Sequence, residues 1–341
     1  MVVEENEAPG VRRAEIALSS KEQEGEERVA GAERPSAIGQ ALLAISDQWT
    51  LLILQRAFLL HVRRFADWRD ELGMSESVLA NRLKELVAGE LLRPVPYREQ
   101  GRTRTEYLLT ARAVELWPML VEIWSWERRW VPRRQGLPEL THDVCGNRTD
   151  VELGCASCGR APVAARDTET VRGAATFAQV TVPRHHRRTV RGAAERDPLS
   201  YFPETFELLG DRWSTVILAA AFLGIRRFAD FQAELGVAPS VLANRLRLFT
   251  ELGVLAVEEP GTRPRYRLTD KGMDFFGVFA FIVDWAQTWY TGPPDTDLRV
   301  THRACGQPFR PCLRCRSCGQ ALSRTEVHFV IPERITASTP S

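Results

Sequence analysis

Apolar residues recur at helical spacing in two series roughly 160 residues apart, and each series predicts one amphipathic helix. The first series is Ile38, Leu42, Ile45, Trp49 and Leu52. The second series is Phe202, Phe206, Leu209, Trp213 and Val216. We therefore expect two structural units that begin in the same way.

The residues after each series predict a helix-turn-helix. In the first copy a short helix from Phe65 to Leu72 ends at Gly73, and Ser75 caps a second helix. The apolar face of that second helix is Leu79, Leu83 and Leu86. In the second copy the turn spans residues 236–239 and places Pro239 at the first helical position.

Two β-prone runs follow each second helix and predict a hairpin, which is the wing of a winged helix. The Gly- and Arg-rich turns between the runs carry Arg102, Arg104, Arg263 and Arg265. Each unit closes with an aromatic-rich helix that is apolar on more than one side. We expect it to pack on its own unit and on the other unit, with contact to a small-molecule effector as the alternative. The apolar positions are Trp117, Leu120, Trp124, Trp126 and Trp130, mirrored by Phe275, Phe276, Phe279, Trp285 and Trp289.

Matching segments in one order identify the chain as an internal duplication. Arg-Arg-Phe-Ala-Asp occurs at 63–67 and 226–230, and Val-Leu-Ala-Asn-Arg-Leu at 78–83 and 241–246. The chain has 341 residues and a net charge of +1, so total charge does not indicate a nucleic-acid partner. The basic wings are more informative than the arginine total.

The predicted fold is mainly α with small β-hairpins (α+β): tandem winged helix-turn-helix units, each followed by a small zinc-ribbon-like hairpin. The predicted bounds are a disordered tail 1–35, unit 36–136, Cys/His module 137–165, linker 166–198 with a short strand at 177–182, unit 199–295, module 296–331 and tail 332–341. The start of the chain lacks signal-peptide features and no apolar run is long enough for a bilayer, so we expect a cytoplasmic protein without membrane contact.

These motifs resemble the HxlR-type family of bacterial winged-helix transcriptional regulators. The resemblance rests on residues 47–54, 64–67, 78–86 and 107–110, and it covers about 100 residues in each copy. It implies DNA binding, and because family members usually form homodimers, this chain resembles a fused dimer. The family often carries a sensing cysteine where this chain has Ser36 and Ser200, so thiol sensing at that position cannot occur.

The second helix of each motif is expected to enter the major groove of double-stranded DNA. Its outward residues would include Ser77, Asn81 and Lys84 in the first copy and Ser240, Asn244 and Arg247 in the second. The asparagines can pair with adenine and Arg247 with guanine, while the wing arginines contact phosphate or the minor groove. Since the two helices differ, we expect an asymmetric operator with half-sites about 34 Å apart. Arg82 and Arg245 could either brace the fold or bind phosphate.

Each unit ends in the pattern H-x2-C-x9-C-x2-C, which predicts one structural zinc per unit. The expected ligand sets are His142, Cys145, Cys155, Cys158, and His302, Cys305, Cys315, Cys318. A reversible dithiol switch is the alternative. Cys312 has no counterpart in the first unit and could replace His302 or remain a free thiol. Four protein ligands leave no open position for a catalytic water, which argues against an enzyme.

The sequence thus predicts a sequence-specific DNA-binding transcriptional regulator that acts as an intramolecular pseudo-dimer, either as a monomer or as a homodimer of the fused chain. One alternative is a redox- or metal-responsive regulator that switches through its cysteines. The other is a protein-interaction adaptor that has lost DNA binding. Glu76 and Glu99, near the reading surface of the first unit, make that unit the better candidate for a degenerate half.

Overall fold

The computed structural model describes residues 35–132, 137–173, 176, 203–258, 264–293 and 296–331. The first unit contains the helix-turn-helix, its hairpin and a long closing helix. Its elements are α1 (Ala37–Ile45), α2 (Gln48–Leu59), α3 (Phe65–Leu72), α4 (Glu76–Ala88), β1 (Leu92–Glu99), β2 (Arg102–Leu109), α5 (Ala111–Val114) and α6 (Trp117–Trp130). The first Cys/His module adds β3 (Glu139–His142), β4 (Asn147–Thr149), β5 (Val151–Cys155) and β6 (Thr168–Arg172).

The second half repeats this order of elements. Its unit contains α7 (Thr205–Leu209), α8 (Arg212–Phe222), α9 (Phe228–Leu235), α10 (Pro239–Glu251), β7 (Leu255–Val257), β8 (Tyr266–Leu268), α11 (Asp270–Asp274) and α12 (Phe276–Trp289). Its module contains β9 (Leu298–His302), β10 (Gln307–Pro308), β11 (Pro311–Cys315) and β12 (Val327–Val330). The mainly helical fold with small hairpins confirms the predicted fold class.

The described part of the apolar series at the start of each unit forms two helices rather than the single helix that we expected, and Phe202 lies outside the described residues. In the first unit the helix breaks at Ser46 and Asp47, and α1 and α2 meet at 76°. Asp47 starts the new helix because its carboxylate accepts a hydrogen bond from the amide of Thr50 at 2.9 Å. Asp211 caps α8 in the same way, on the amide of Ser214 at 3.1 Å. Within the described ranges no single helix combines the length and apolar character needed to cross a membrane.

The helix-turn-helix bounds in the first unit confirm the prediction. Gly73 ends α3 with φ +60°, a left-handed conformation that suits glycine. The side chains of Leu79, Leu83 and Leu86 are buried, so they fix α4 to the core of its unit. Ser75 occupies the N-cap position, but its hydroxyl makes no capping bond to the backbone.

The closing helices α6 and α12 pack against each other and join the two units through paired tryptophans. Trp126 Nε1 donates to the carbonyl of Lys271 at 2.9 Å, and Trp285 Nε1 donates to the carbonyl of Arg112 at 2.8 Å. A second pair joins Trp130 Nε1 to Asp274 at 2.7 Å and Trp289 Nε1 to Glu115 at 2.6 Å. Because the donors occupy equivalent positions of the repeat, the two units meet through matching contacts.

The strands of the two Cys/His modules pair with each other. Strand β5 pairs with β11, β12 pairs with β3, and β6 pairs with β9, each in antiparallel register. Residues 168–172, which we assigned to the linker, therefore form a strand that completes the sheet of the second module. The strand expected at 177–182 lies outside the described residues.

Candidate nucleic-acid interface and metal centres

Helices α4 and α10, the second helices of the two helix-turn-helix motifs, each present the expected polar side chains to solvent. On α4 the exposed residues include Ser77, Asn81 and Lys84, and on α10 they include Ser240, Asn244 and Arg247. These side chains stand opposite the buried leucines, because residues three and four apart share one helical face. Both helices are therefore accessible from outside the protein.

Arg82 and Arg245 brace the fold. Arg82 forms an ion pair with Asp47 at 3.3 Å, and Arg245 forms the equivalent pair with Asp211 at 2.8 Å. Each aspartate also caps the helix that follows it, so the Asp47 carboxylate joins α4 to α2 and the Asp211 carboxylate joins α10 to α8. The sequence left open whether these arginines brace the fold or bind phosphate, and these contacts favour the first.

The wing of the first unit is exposed, and its positive charge is partly neutralised. Arg102 and Arg104 lie on β2 with exposed side chains. Glu99 on the facing strand forms ion pairs of 2.9 Å with both Arg104 and Arg64. Glu99 therefore offsets the charge of Arg104 more directly than that of Arg102.

The second wing is described only at its base. Arg265 is half-buried beside Arg227, with which it forms a backbone bridge, so it does not lie at the wing tip as we expected. Arg263 lies outside the described residues. The DNA-contact role of both residues stays a prediction.

The eight predicted metal ligands form two groups, and each group takes residues from both modules. One group is His142, Cys145, Cys315 and Cys318, and the other is His302, Cys305, Cys155 and Cys158. Within each group the candidate ligand atoms lie within 4.8 Å of one another. We expected each module to hold a complete ligand set, and this is wrong: the histidine and first cysteine of each module lie beside the Cys-x2-Cys turn of the other module. The pairing of β5 with β11 exchanges the two Cys-x2-Cys turns between modules.

The geometry of each group brings one buried histidine against cysteine sulfurs. His142 Nδ1 lies 3.4 Å from the sulfurs of both Cys145 and Cys318. His302 Nδ1 lies 3.4 Å from the sulfurs of both Cys158 and Cys305. A histidine nitrogen and three thiols form a donor set that could bind a metal ion.

Hydrogen bonds in the Cys315 turn favour the thiolate that a metal would need. Burial raises the pKa of Cys315, but the Thr149 hydroxyl 3.3 Å from its sulfur and hydrogen bonds from the amides of Cys318 and Ser317 outweigh burial and lower this pKa to about 6. Thr149 belongs to the other module, and the sequence pattern did not identify it. Only the exchanged strand pairing places it beside Cys315.

Cys312 belongs to neither group. It lies half-buried on β11, opposite Gly154 of β5, and burial raises the pKa of its thiol. Of the two roles left open by the sequence, replacement of His302 is not supported, because His302 already faces Cys158 and Cys305.

Comparisons with known proteins match both helix-turn-helix units. The model of the HxlR-like helix-turn-helix family matches residues 44–135 and 208–293. The HTH-type transcriptional regulator MT3179 of Mycobacterium tuberculosis, which is named as uncharacterized, is 33% identical over 36% of this chain and 78% of its own length. YvaP of Bacillus subtilis, also named an uncharacterized HTH-type transcriptional regulator, is 30% identical over 26% of this chain and 85% of its own length.

A solved structure, that of PA1607, is 35% identical to this chain, covers 36% of it and 89% of its own chain, and has a TM-score of 0.32. The family model covers more than half of the chain and both copies of the repeat, which confirms the resemblance stated from the motifs. The protein belongs to the HxlR-like helix-turn-helix family and carries two copies of its domain.

Proposed function

We propose that this protein is a sequence-specific regulator of transcription that binds double-stranded DNA through both helix-turn-helix units of one chain. The observation that carries the proposal is the exposure of equivalent side chains on α4 and α10 in units joined by matching tryptophan contacts. A two-fold arrangement of reading helices is what dimeric helix-turn-helix proteins present to successive turns of DNA. The chain would act in the cytoplasm as an intramolecular pseudo-dimer and perform no catalysis.

The exposed side chains suggest how the two half-sites would differ. Asn81 and Asn244 occupy equivalent positions and would read adenine in both half-sites. The next equivalent position is Lys84 on α4 and Arg247 on α10, and both side chains are exposed. Of the two, the guanidinium of Arg247 is the one that can pair with guanine through two hydrogen bonds. We therefore propose an imperfect palindrome whose half-sites are centred about 34 Å apart.

The acids that raised doubt about the first unit are paired within that unit. Glu76 accepts from Arg69 at 3.0 Å, and Glu99 is shared by Arg64 and Arg104. A paired carboxylate repels phosphate less than a free one does, since the neighbouring guanidinium offsets its charge. This favours DNA binding by both units over an adaptor in which the first unit has lost it.

Selection of bound duplexes from a random pool at one fixed salt concentration tests this proposal. We expect a site with two related but unequal half-sites. Asn81→Ala should relax base preference in one half-site and Asn244→Ala in the other, each by about 1–3 kcal/mol of discrimination. Arg324→Ala, an exposed change on the second module, serves as the control. Retention of no duplex above the random background would contradict DNA binding.

We further propose that each Cys/His group binds one structural zinc ion. Tetrahedral zinc with typical bond lengths places sulfur about 3.6 Å from a nitrogen ligand and about 3.8 Å from another sulfur. The corresponding separations here are 3.4 Å from His142 Nδ1 to Cys145 and 3.9 Å from Cys145 to Cys315. The residues fit the metal, and because each group joins both modules, zinc would tie the two halves of the chain together.

Metal analysis of paired variants separates the exchanged ligand sets from sets within one module. His142→Ala with Cys318→Ser alters one exchanged group only, so the chain should retain one zinc. His142→Ala with Cys158→Ser alters both groups and should retain none. Ligand sets within one module would give the opposite result, and zinc below two per chain in the reduced wild-type protein would contradict the proposal.

A further inference from the structure

We propose that a cavity between the two halves of the chain binds a small uncharged molecule with two aromatic ring systems. The cavity has a volume of about 610 Å³ and lies between α1 of the first unit, α8 and α12 of the second unit, and strands β6 and β9. Drug-sized ligands occupy cavities of about 300–1,000 Å³, so the space suits a molecule of this class. The proposal does not depend on DNA binding.

Aromatic side chains form the inner wall of this cavity. The ring of Phe222 lies 5.4 Å from the ring of Phe279 and 6.2 Å from the ring of Phe276. The ring of Phe276 is in turn stacked on that of Phe309, with centroids 6.1 Å apart. Aromatic walls of this kind favour a ligand ring through offset or edge contacts as well as through burial of apolar area.

Three of the four charged side chains that line the cavity form ion pairs, and the fourth, Arg299, is exposed to solvent. Arg310 forms an ion pair of 3.0 Å with Asp284, and Arg172 pairs with Glu234. Pairing offsets the charge that these groups present to the cavity, and an ionised ligand would have to compete with the existing partners. An uncharged ligand needs no such exchange.

The internal repeat shows what fills the equivalent space in the other half. Helices α6 and α12 have the same length, and Val283 of α12 corresponds to Trp124 of α6. Strands β6 and β12 pair in the same register with their partners, so Thr170 corresponds to Phe329. Two large aromatic residues of one half are thus replaced by two small residues at the cavity.

Trp124 and Phe329 pack against each other where the cavity has Val283 and Thr170. Their rings meet edge to face at 5.2 Å, and Trp124 Nε1 donates to the carbonyl of Pro138 at 2.9 Å. A cavity at the equivalent place, lined by Arg128 and Leu140 among others, has a volume of only about 270 Å³. An indole and a phenyl ring therefore occupy space that the second half leaves open, which suggests a ligand with two such rings.

N-phenyl-1-naphthylamine, an uncharged molecule with a naphthyl and a phenyl ring, is a suitable fluorescent probe. We expect the wild-type full-length chain to bind one molecule per chain. Val283→Trp, which copies the first half, should weaken binding at least tenfold. Thr288→Trp adds the same side chain to an exposed position of α12 outside the cavity and should leave binding unchanged.

Thermal unfolding of each variant shows whether it has folded, and Thr170→Phe fills the same cavity from β6 if Val283→Trp does not fold. Loss of probe binding in a folded filling variant, with binding kept in Thr288→Trp, supports the proposal. Undiminished binding in folded filling variants, equal loss in Thr288→Trp, or no saturable binding by the wild-type chain would overturn it. Each of these results is obtained without DNA, so failure of this proposal is distinguishable from failure of the proposed function.

Discussion

Glu122 offers the sharpest test of the interface between the two units. It is a buried carboxyl on α6, and no described residue donates a hydrogen bond to its Oε2 atom. Desolvation by burial and the nearby charge of Asp274 raise its pKa from 4.5 to about 7, although Arg129 opposes the increase. The folded protein therefore holds this group protonated at a pH where the unfolded chain ionises it.

The sign of the effect on stability follows from proton binding. Between about pH 4.5 and 7 the folded state binds the proton more tightly, so stability falls as pH rises through this range. At 1.36 kcal/mol per pKa unit, the whole difference amounts to about 3 kcal/mol lost by pH 8. Glu122→Gln cannot ionise, so its free energy of unfolding should gain about 3 kcal/mol relative to wild type between pH 4.5 and pH 8.

Urea unfolding followed by tryptophan fluorescence at several pH values, with zinc held constant, measures this difference. Glu326→Gln, which removes a carboxyl at an exposed position of the second module, is the matched control. The other titrating groups are the same in wild type and in Glu122→Gln, so the difference between the two curves reports the contribution of Glu122 alone. If the curves of wild type and Glu122→Gln run parallel from pH 4.5 to pH 8, the argument from burial is refuted.

Three further measurements test other parts of the structure. Lys84→Ala should weaken binding to all DNA sequences alike and reduce the slope of log K against log salt by about one if Lys84 contacts phosphate, and an unchanged slope would exclude that contact. Gly277→Ala should destabilise the fold by about 1–3 kcal/mol, because its Cβ would lie 2.4 Å from Glu122 Oε1, and a wild-type melting temperature would show that the interface can adjust. Trp285→Phe should cost about 1 kcal/mol, since the carbonyl of Arg112 loses its indole donor, which differential scanning calorimetry can detect.

Local pattern was sufficient to predict the helix-turn-helix of the first unit. The leucines of α4 recur at helical spacing and Gly73 adopts the conformation that ends α3, so both helices could be predicted from neighbouring residues alone. The prediction was wrong at Ser46 and Asp47, where apolar spacing continues across a break. A carboxylate that caps a new helix competes with continuation of the old one, and hydrophobic periodicity does not register that competition.

Sequence alone sufficed to identify the duplication, the two helix-turn-helix motifs and the eight candidate metal ligands, because each depends on residues close together in the chain. Which cysteines face which histidine depends instead on how the chain folds. Strand pairing between modules is a contact between residues far apart in sequence, and two identical spacing patterns can be satisfied within one module or by exchange. The same holds for the cavity beside Val283: a valine in place of a tryptophan leaves a space only when the surrounding helices and strands fix its walls.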